Sequence, residues 1–334
     1  MLKLLIVGFV VWLSVFTFRV IQIGGIDPTY RDPKTTVLEH FRNSLAEIIS
    51  QSLPAPQSAI LSGIVLGVQE TIPFSLRQQL VATSTIHIVV VSGQNLTILA
   101  GFLLNLAGYL GRKKVLFLSL FVIVFYSLLT GLQVPVIRAA IMVTLATLAQ
   151  ILGKERTGWW VLSMTGGAML LYNPNWLLNI SFQLSFLATF GVVIVAPIVI
   201  KKLKWVPMIL REDLGVTISA QALVMPILAY NFGQISLTAI VVNSLILWTV
   251  PFTMVSGFLT VFVGFVNNIS GQIMGVVPTV LLTYFIDIVE FFAKIPGGSI
   301  KIGETGIIMW VGYYLILFAI IWMFGKSWKL KVQS

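Results

Sequence analysis

The sequence predicts an all-α fold, a polytopic transmembrane helical bundle of about ten spans, and three observations predict it. Of 334 residues, 57% are hydrophobic and only 10% charged, with mean hydropathy +0.99. A soluble exterior of this size needs far more charge. The apolar residues come in runs of roughly 18 to 25, long enough for a helix to cross about 30 Å of hydrocarbon. The runs are continuous rather than alternating, and a bilayer admits only helices or closed barrels, so helices follow.

At the N-terminus, Lys3 precedes "LLIVGFVVWLSVF", which resembles a secretory signal. No small-residue cleavage site follows and the run continues to Ile23, so 1–23 is expected to be a retained first transmembrane helix. Residues 24–85 form an outer segment that is not plainly spanning. In "TTVLEHFRNSLAEIISQSL", Val37, Phe41, Leu45, Ile48 and Ile49 fall at helical spacing, with Glu39, Arg42, Asn43 and Glu47 elsewhere. This predicts an amphipathic helix on the outer surface or against the bundle. The run "SAILSGIVLGV" is too short to cross, hence re-entrant or interfacial.

Residues 86–325 then form the bundle, with spans at 86–110, 114–132, 135–152, 158–172, 179–200, 216–231, 236–264, 270–293 and 306–324. Pro251 predicts a kink or break in the long 236–264 span. Residues 326–334 are a basic tail.

The net charge is +10 with pI near 9.9, which fits either a nucleic-acid partner or membrane topology. With the N-terminus inside, ten spans place four basic connections in the cytoplasm. They are Arg112-Lys113-Lys114, Lys154 with Arg156, Lys201, Lys202 and Lys204 with Arg211, and Lys326, Lys329 and Lys331. The opposite turns "NPNWLL" and "NFGQIS" carry no Lys or Arg, and 294–305 carries only Lys294 and Lys301. This predicts a cytoplasmic (inner) membrane protein with both termini inside, and topology accounts for the basic loops.

Soluble-enzyme motifs are absent. Cysteine is missing, so disulfides and thiol chemistry are excluded, and neither G-x-x-x-x-G-K-[ST] nor H-E-x-x-H occurs. The histidines are His40 and His87, without an acidic cluster around them, which argues against a metal or other cofactor. His87 and Ser92 lie five apart, about 140° around a helix, so a serine–histidine dyad would need a helix break. The expectation is a non-enzymatic protein.

Polar groups inside the spans carry what chemistry there is. On one continuous helix His87, Gln94 and Asn105 share a face with Gly101 and Gly108. Such a stripe either lines a hydrated path or bonds helix to helix. The Ser92-Gly93 pair is also a candidate break that would free backbone carbonyls in a protein-lined cavity. Arg138, in "GLQVPVIRAAIM", keeps its charge, so it either points inward to a carbonyl, water or anion, or snorkels to headgroups. A phosphate-bearing substrate suits its fork geometry. Asn179 with Gln183, and Ser181 with Ser185, are i, i+4 pairs with the same two readings, lining or interhelical glue, as are Gln221, Asn231 and Asn243. Asp287, Glu290 and Lys294 fit a local salt bridge.

Four segments in order resemble the competence-domain family of DNA-uptake membrane proteins (ComEC type). "ATSTIHIVVVSGQN" is similar to the family's H-[LI]-[LIV]-A-[IV]-S-G-x-[HN], with Val90 where alanine is usual and Asn95 where many members carry histidine. "GLQVPVIRAAIM" resembles its G-x-x-x-[SP]-x-x-R-[AS]-x-[IL]-M run through Gly131, Pro135, Arg138 and Met142. "NPNWLLNISFQLSFLATFG" matches an N-P-x-x-L-x-x-x-x-F-Q-L-S-F-x-A segment through Asn173, Pro174, Gln183, Leu184, Ser185 and Phe186. "YNFGQISLTAIVVNSLILWTVP" is similar to F-G-x-[IL]-S-x-x-x-[IL]-x-x-N through Phe232, Gly233, Ser236 and Asn243. Together they span roughly residues 55–325.

The resemblance implies a channel core that conducts single-stranded DNA through the cytoplasmic membrane, lined by His87, Ser92, Gly93, Gln94, Asn95, Arg138, Gln183, Ser185 and Asn243. Neutral donors with one arginine would replace hydration without trapping the polyanion. Fuller family members add an outer OB-fold domain and a metallo-β-lactamase-like domain. The outer segment here lacks the alternating strands of an OB-fold, and the sequence ends about ten residues after its last span. Separate OB-fold and metallo-β-lactamase-like nuclease proteins, a DNA receptor and a cytoplasmic motor are therefore the expected partners, and a homo-oligomer is compatible. Two rival readings stay open: a transporter or channel for another anionic or lipid-linked substrate, and a structural membrane subunit.

Overall fold

The computed structural model describes residues 2–27, 30, 38–91, 93–105, 107–151, 158–301 and 307–332. The first part comprises α1 (Leu2–Gln22), α2 (Glu39–Ser52), α3 (Gln57–Leu66), α4 (Phe74–Ala82) and α5 (Ile86–Val89). There follow α6 (Gly93–Asn105), α7 (Ala107–Leu110), α8 (Arg112–Leu129), α9 (Val134–Ile151), α10 (Gly158–Tyr172) and α11 (Ile180–Phe190). The last part holds α12 (Ala196–Lys202), α13 (Met208–Phe232), α14 (Ala239–Ile246), α15 (Thr249–Val266), α16 (Asn268–Ala293) and α17 (Ile307–Val332). The fold is all-α apart from a two-stranded antiparallel ribbon, in which β1 (Gln234–Ser236) pairs with β2 (Ser299–Lys301), Gln234 opposite Lys301.

The exterior is apolar: Phe121, Phe262, Val280 and Phe318 are all exposed. Such a surface is stable against acyl chains and not against water, as the composition requires of a membrane protein. Four stretches are long and apolar enough to cross a bilayer: Ile180–Lys202, Leu210–Asn231, Thr249–Val266 and Asn268–Ala293. Shorter apolar helices cover Ile6–Gln22, Gln57–Leu66, Lys114–Leu129, Val134–Ala149 and Met309–Ile321. The ten full-length spans expected from hydropathy are thus not found as ten long helices among the described residues.

Two differences have local causes. The expected 86–110 span is divided between α5 and α6, because Val90 leaves α5 in an extended conformation (φ −87°, ψ 138°) and α6 runs from Gly93. A β-branched run ending in a Ser-Gly pair favours such a break. The 236–264 span is divided between α14 and α15, at Leu247 and Trp248 rather than at Pro251. Pro251 occupies the third position of α15, where a missing N–H costs no intrahelical bond.

At the centre of the larger core lies α3, whose residues Ser58–Leu66 are all buried. Helices gain little hydrophobic free energy from meeting each other in lipid, so close approach through small residues must hold them. Gly63 provides it: a Cβ there would lie 2.7 Å from the Val89 carbonyl oxygen. Gly67, at φ +75°, closes α3, its N–H donating to Gly63 O while Val68 N–H donates to Ser62 O. The amphipathic α2 packs against the bundle, burying Leu45 and Ile49 beside α3, α15 and α16.

Between α11 and α12 the span makes a π-turn over Gly191–Val195, with Ala196 N–H donating to Gly191 O. Pro197 has no N–H to offer the Val193 carbonyl, which explains the altered register. Gly191 there touches α13, where a Cβ would lie 2.6 Å from Ser219 O.

Candidate substrate path around Arg138

Helix α9 begins at Val134 with Pro135 in its first turn, a position suited to proline's fixed φ and missing donor. Arg138 follows about 6 Å further along the axis. Its side chain does not reach the exterior: the residue is only 8% exposed. Nη1 donates to Thr189 Oγ1 on α11 and lies 3.4 Å from Met142 Sδ. Thr189 Oγ1 in turn donates to the Ser185 carbonyl at 2.8 Å. Nε is buried without a hydrogen-bond partner. Among the described residues no carboxylate pairs with Arg138.

The guanidinium lies against the start of α6. A Cβ on Gly93 would stand 2.5 Å from Nη2 and 3.1 Å from Ala139 Cβ, so the guanidinium occupies the space that a side chain at 93 would take. The structure therefore brings Gly93, Arg138 and the α11 face carrying Ser185 and Thr189 together. Sequence reasoning missed Thr189. The signal was present, because Ser181, Ser185 and Thr189 form one hydroxyl row at i, i+4, i+8.

Asn95 has a different task. It is 1% exposed, and its Nδ2 donates to Ile64 O at 2.8 Å near the C-terminus of α3. Tyr126, from α8, hydrogen-bonds Asn95 and reaches the same carbonyl at 3.5 Å. This network satisfies a carbonyl that the end of a buried helix would otherwise orphan.

The other expected path residues are dispersed. His87 lies on the short α5, exposed, with its imidazole bonded to the Ser84 backbone. The helix break removes it from the face of Gln94 and Asn105, which stay on α6, so the polar stripe expected over 86–110 does not extend to His87. Gln94 contributes to the first turn of α6 by its backbone, while its side chain and the whole of Ser92 lie outside the described residues. Gln183 folds back onto its own entrance turn, Nε2 donating to Leu177 O at 3.0 Å. Asn243 is 3% exposed on α14, against α13 and α16, with Oδ1 buried and unpartnered. Lys294 pairs with Glu290 at 3.5 Å, the expected local bridge.

A cavity of about 480 Å³ between α2, α6, α8 and α15 is lined wholly by apolar side chains, Phe102, Phe125, Phe258 and Phe262 among them. It suits an acyl chain and not a polyanion. Among the described residues no group of three or more His, Asp or Glu side chains gathers to hold a metal ion.

The family model described as Competence protein matches residues 64–327. ComE operon protein 3 of Bacillus subtilis (strain 168) is 26% identical over 213 residues, 63% of this chain and 26% of that protein. Uncharacterized protein YcaI of Escherichia coli (strain K12) is 27% identical over 256 residues, 69% of this chain and 32% of that protein. The match thus spans a third or less of each relative's own length. No solved structure matches the chain. The matched segment runs from the carbonyl that Asn95 caps, through Arg138 and Thr189, past Asn243, and on that coverage the chain belongs to the competence protein family.

Proposed function

We propose that this bundle is the core of a channel that conducts single-stranded DNA across the cytoplasmic membrane during DNA uptake, with both termini in the cytoplasm. Membership of the competence family and the apolar, helical exterior support that setting. The observation that carries the reading is Arg138, a buried guanidinium with one hydroxyl partner, a free Nε and no carboxylate among the described residues. A cation is expensive inside a membrane unless something negative or strongly polar visits it. A strand of DNA presents phosphates in series, and one arginine on a largely neutral route attracts each without holding all.

In this reading the chain breaks no bond. Strand degradation, capture and driving force belong to partners: a metallo-β-lactamase-like nuclease, an OB-fold protein, a DNA receptor and a cytoplasmic motor. The test is uptake of labelled DNA by a deletion strain carrying the chain, an Arg138→Leu variant, or an empty vector. The expected result is restored uptake with the chain, and none with a variant that inserts in the membrane to the same level. Equal uptake by Arg138→Leu would remove the arginine from the path.

A further inference from the structure

We infer that Arg138 and the first turn of α6 form a binding site for a single phosphate oxyanion. The inference rests on the conduit reading for its ligand, a phosphodiester, but the site stands on its own geometry. Helix α6 is 13 residues long, and the leading N–H groups of any helix lack intrahelical partners. Their partial positive charge and their direction make such an end receptive to oxyanions. Gly93 is the first described residue of α6, and Arg138 Nη2 lies beside it, 2.5 Å from where its Cβ would stand.

The arginine therefore lies beside the first turn of α6, where the helix dipole disfavours another cation unless an anion bridges the two. It is 8% exposed, its Nε is buried and unpartnered, and no carboxylate among the described residues offsets it. Thr189 holds Nη1 and so fixes the plane of the guanidinium. A phosphate bound here accepts from the guanidinium edge and from the α6 amides together, a charge-assisted arrangement of the strong kind. Glycine at 93 lets the guanidinium sit where it does, since a methyl group there would displace Nη2.

The test is the thermal unfolding midpoint of the purified full chain in detergent, titrated with inorganic phosphate against chloride at matched ionic strength. A saturable rise in the wild type, absent in Arg138→Gln and reduced in Gly93→Ala, is expected. A flat wild-type response overturns the site, as does an equal rise in Arg138→Gln, and Gly93→Ala serves if Arg138→Gln does not fold. Two further arms identify the source of the phosphate. A phosphodiester oligonucleotide that stabilises the wild type where its uncharged methylphosphonate analogue does not points to DNA. Stabilisation only in phosphatidylglycerol nanodiscs, and not in phosphatidylcholine ones, points to a lipid headgroup. That last outcome keeps the site and contradicts the conduit, whereas normal phosphate binding with unrestored uptake in the deletion strain also separates the two.

Discussion

Arg138 on α9 donates a hydrogen bond to Thr189 on α11, whose own hydroxyl proton goes to the Ser185 carbonyl one turn earlier. The threonine thus accepts from the cation and donates to the backbone with the same oxygen. It ties two helices together at the one buried charge described in this part of the fold.

The first prediction concerns that oxygen. Thr189→Val preserves shape but leaves a buried guanidinium N–H without a partner, costing about 1–3 kcal/mol. Thr189→Ser retains the hydroxyl and recovers most of the loss. Denaturant titration of the purified variants measures both. If valine and serine behave alike, the hydroxyl contributes nothing and the contact is only steric.

The second prediction concerns the end of α3. Asn95→Leu removes the donor to Ile64 O and lowers stability by about 1–2 kcal/mol, the scale of an interhelical hydrogen bond in a membrane protein. Tyr126→Phe acts on the same carbonyl, so the double variant should lose less than the sum of the singles. Strict additivity in that cycle would show that the two side chains do not share the network.

How much of this was legible in the sequence differs from residue to residue. Helical class and membrane setting follow from apolar runs alone, because lipid leaves the backbone no other option. Arg138 stands out for the same reason: charge inside an apolar run has one sign and few solutions. The separation of His87 from Gln94 and Asn105 was not legible. Face arithmetic assumes an unbroken helix, and Val90 breaks it before Gly93. Nor does periodicity tell a route-lining amide from a capping one. Asn95 and Asn243 have the same side chain in apolar runs, yet one caps Ile64 and the other holds a free buried oxygen. Partners such as Tyr126 lie on other helices, at separations no local spacing encodes.

A third prediction uses glycines with opposite surroundings. Gly63→Ala would push a methyl group to 2.7 Å from Val89 O, and Gly191→Ala to 2.6 Å from Ser219 O. Both contacts are with backbone atoms, so relief requires helices to separate, at about 1–3 kcal/mol. Gly101 lies inside α6 with nothing within 4 Å of its Cβ direction. Gly101→Ala should therefore stabilise, by up to about 1 kcal/mol of helix propensity. The sign difference among the three, read from unfolding midpoints, checks the packing around α3 and the π-turn; a uniform loss would contradict it.

The last prediction separates stability from transport at Asn243. Its Oδ1 is buried without a partner, which costs the folded state about 1–3 kcal/mol of desolvation. Leucine is close in size and carries no such penalty. Asn243→Leu should thus leave the unfolding midpoint unchanged or raise it. In the conduit reading a free amide oxygen is useful, because it can accept a hydrogen bond from an amino group of a passing base. Uptake of labelled DNA by the Leu variant should therefore fall although the protein is no less stable. Asn243→Asp adds a negative charge where a polyanion would pass, and should lower uptake further. A Leu variant that is clearly less stable shows that the oxygen has a partner in the folded chain, and one that transports normally removes Asn243 from the route.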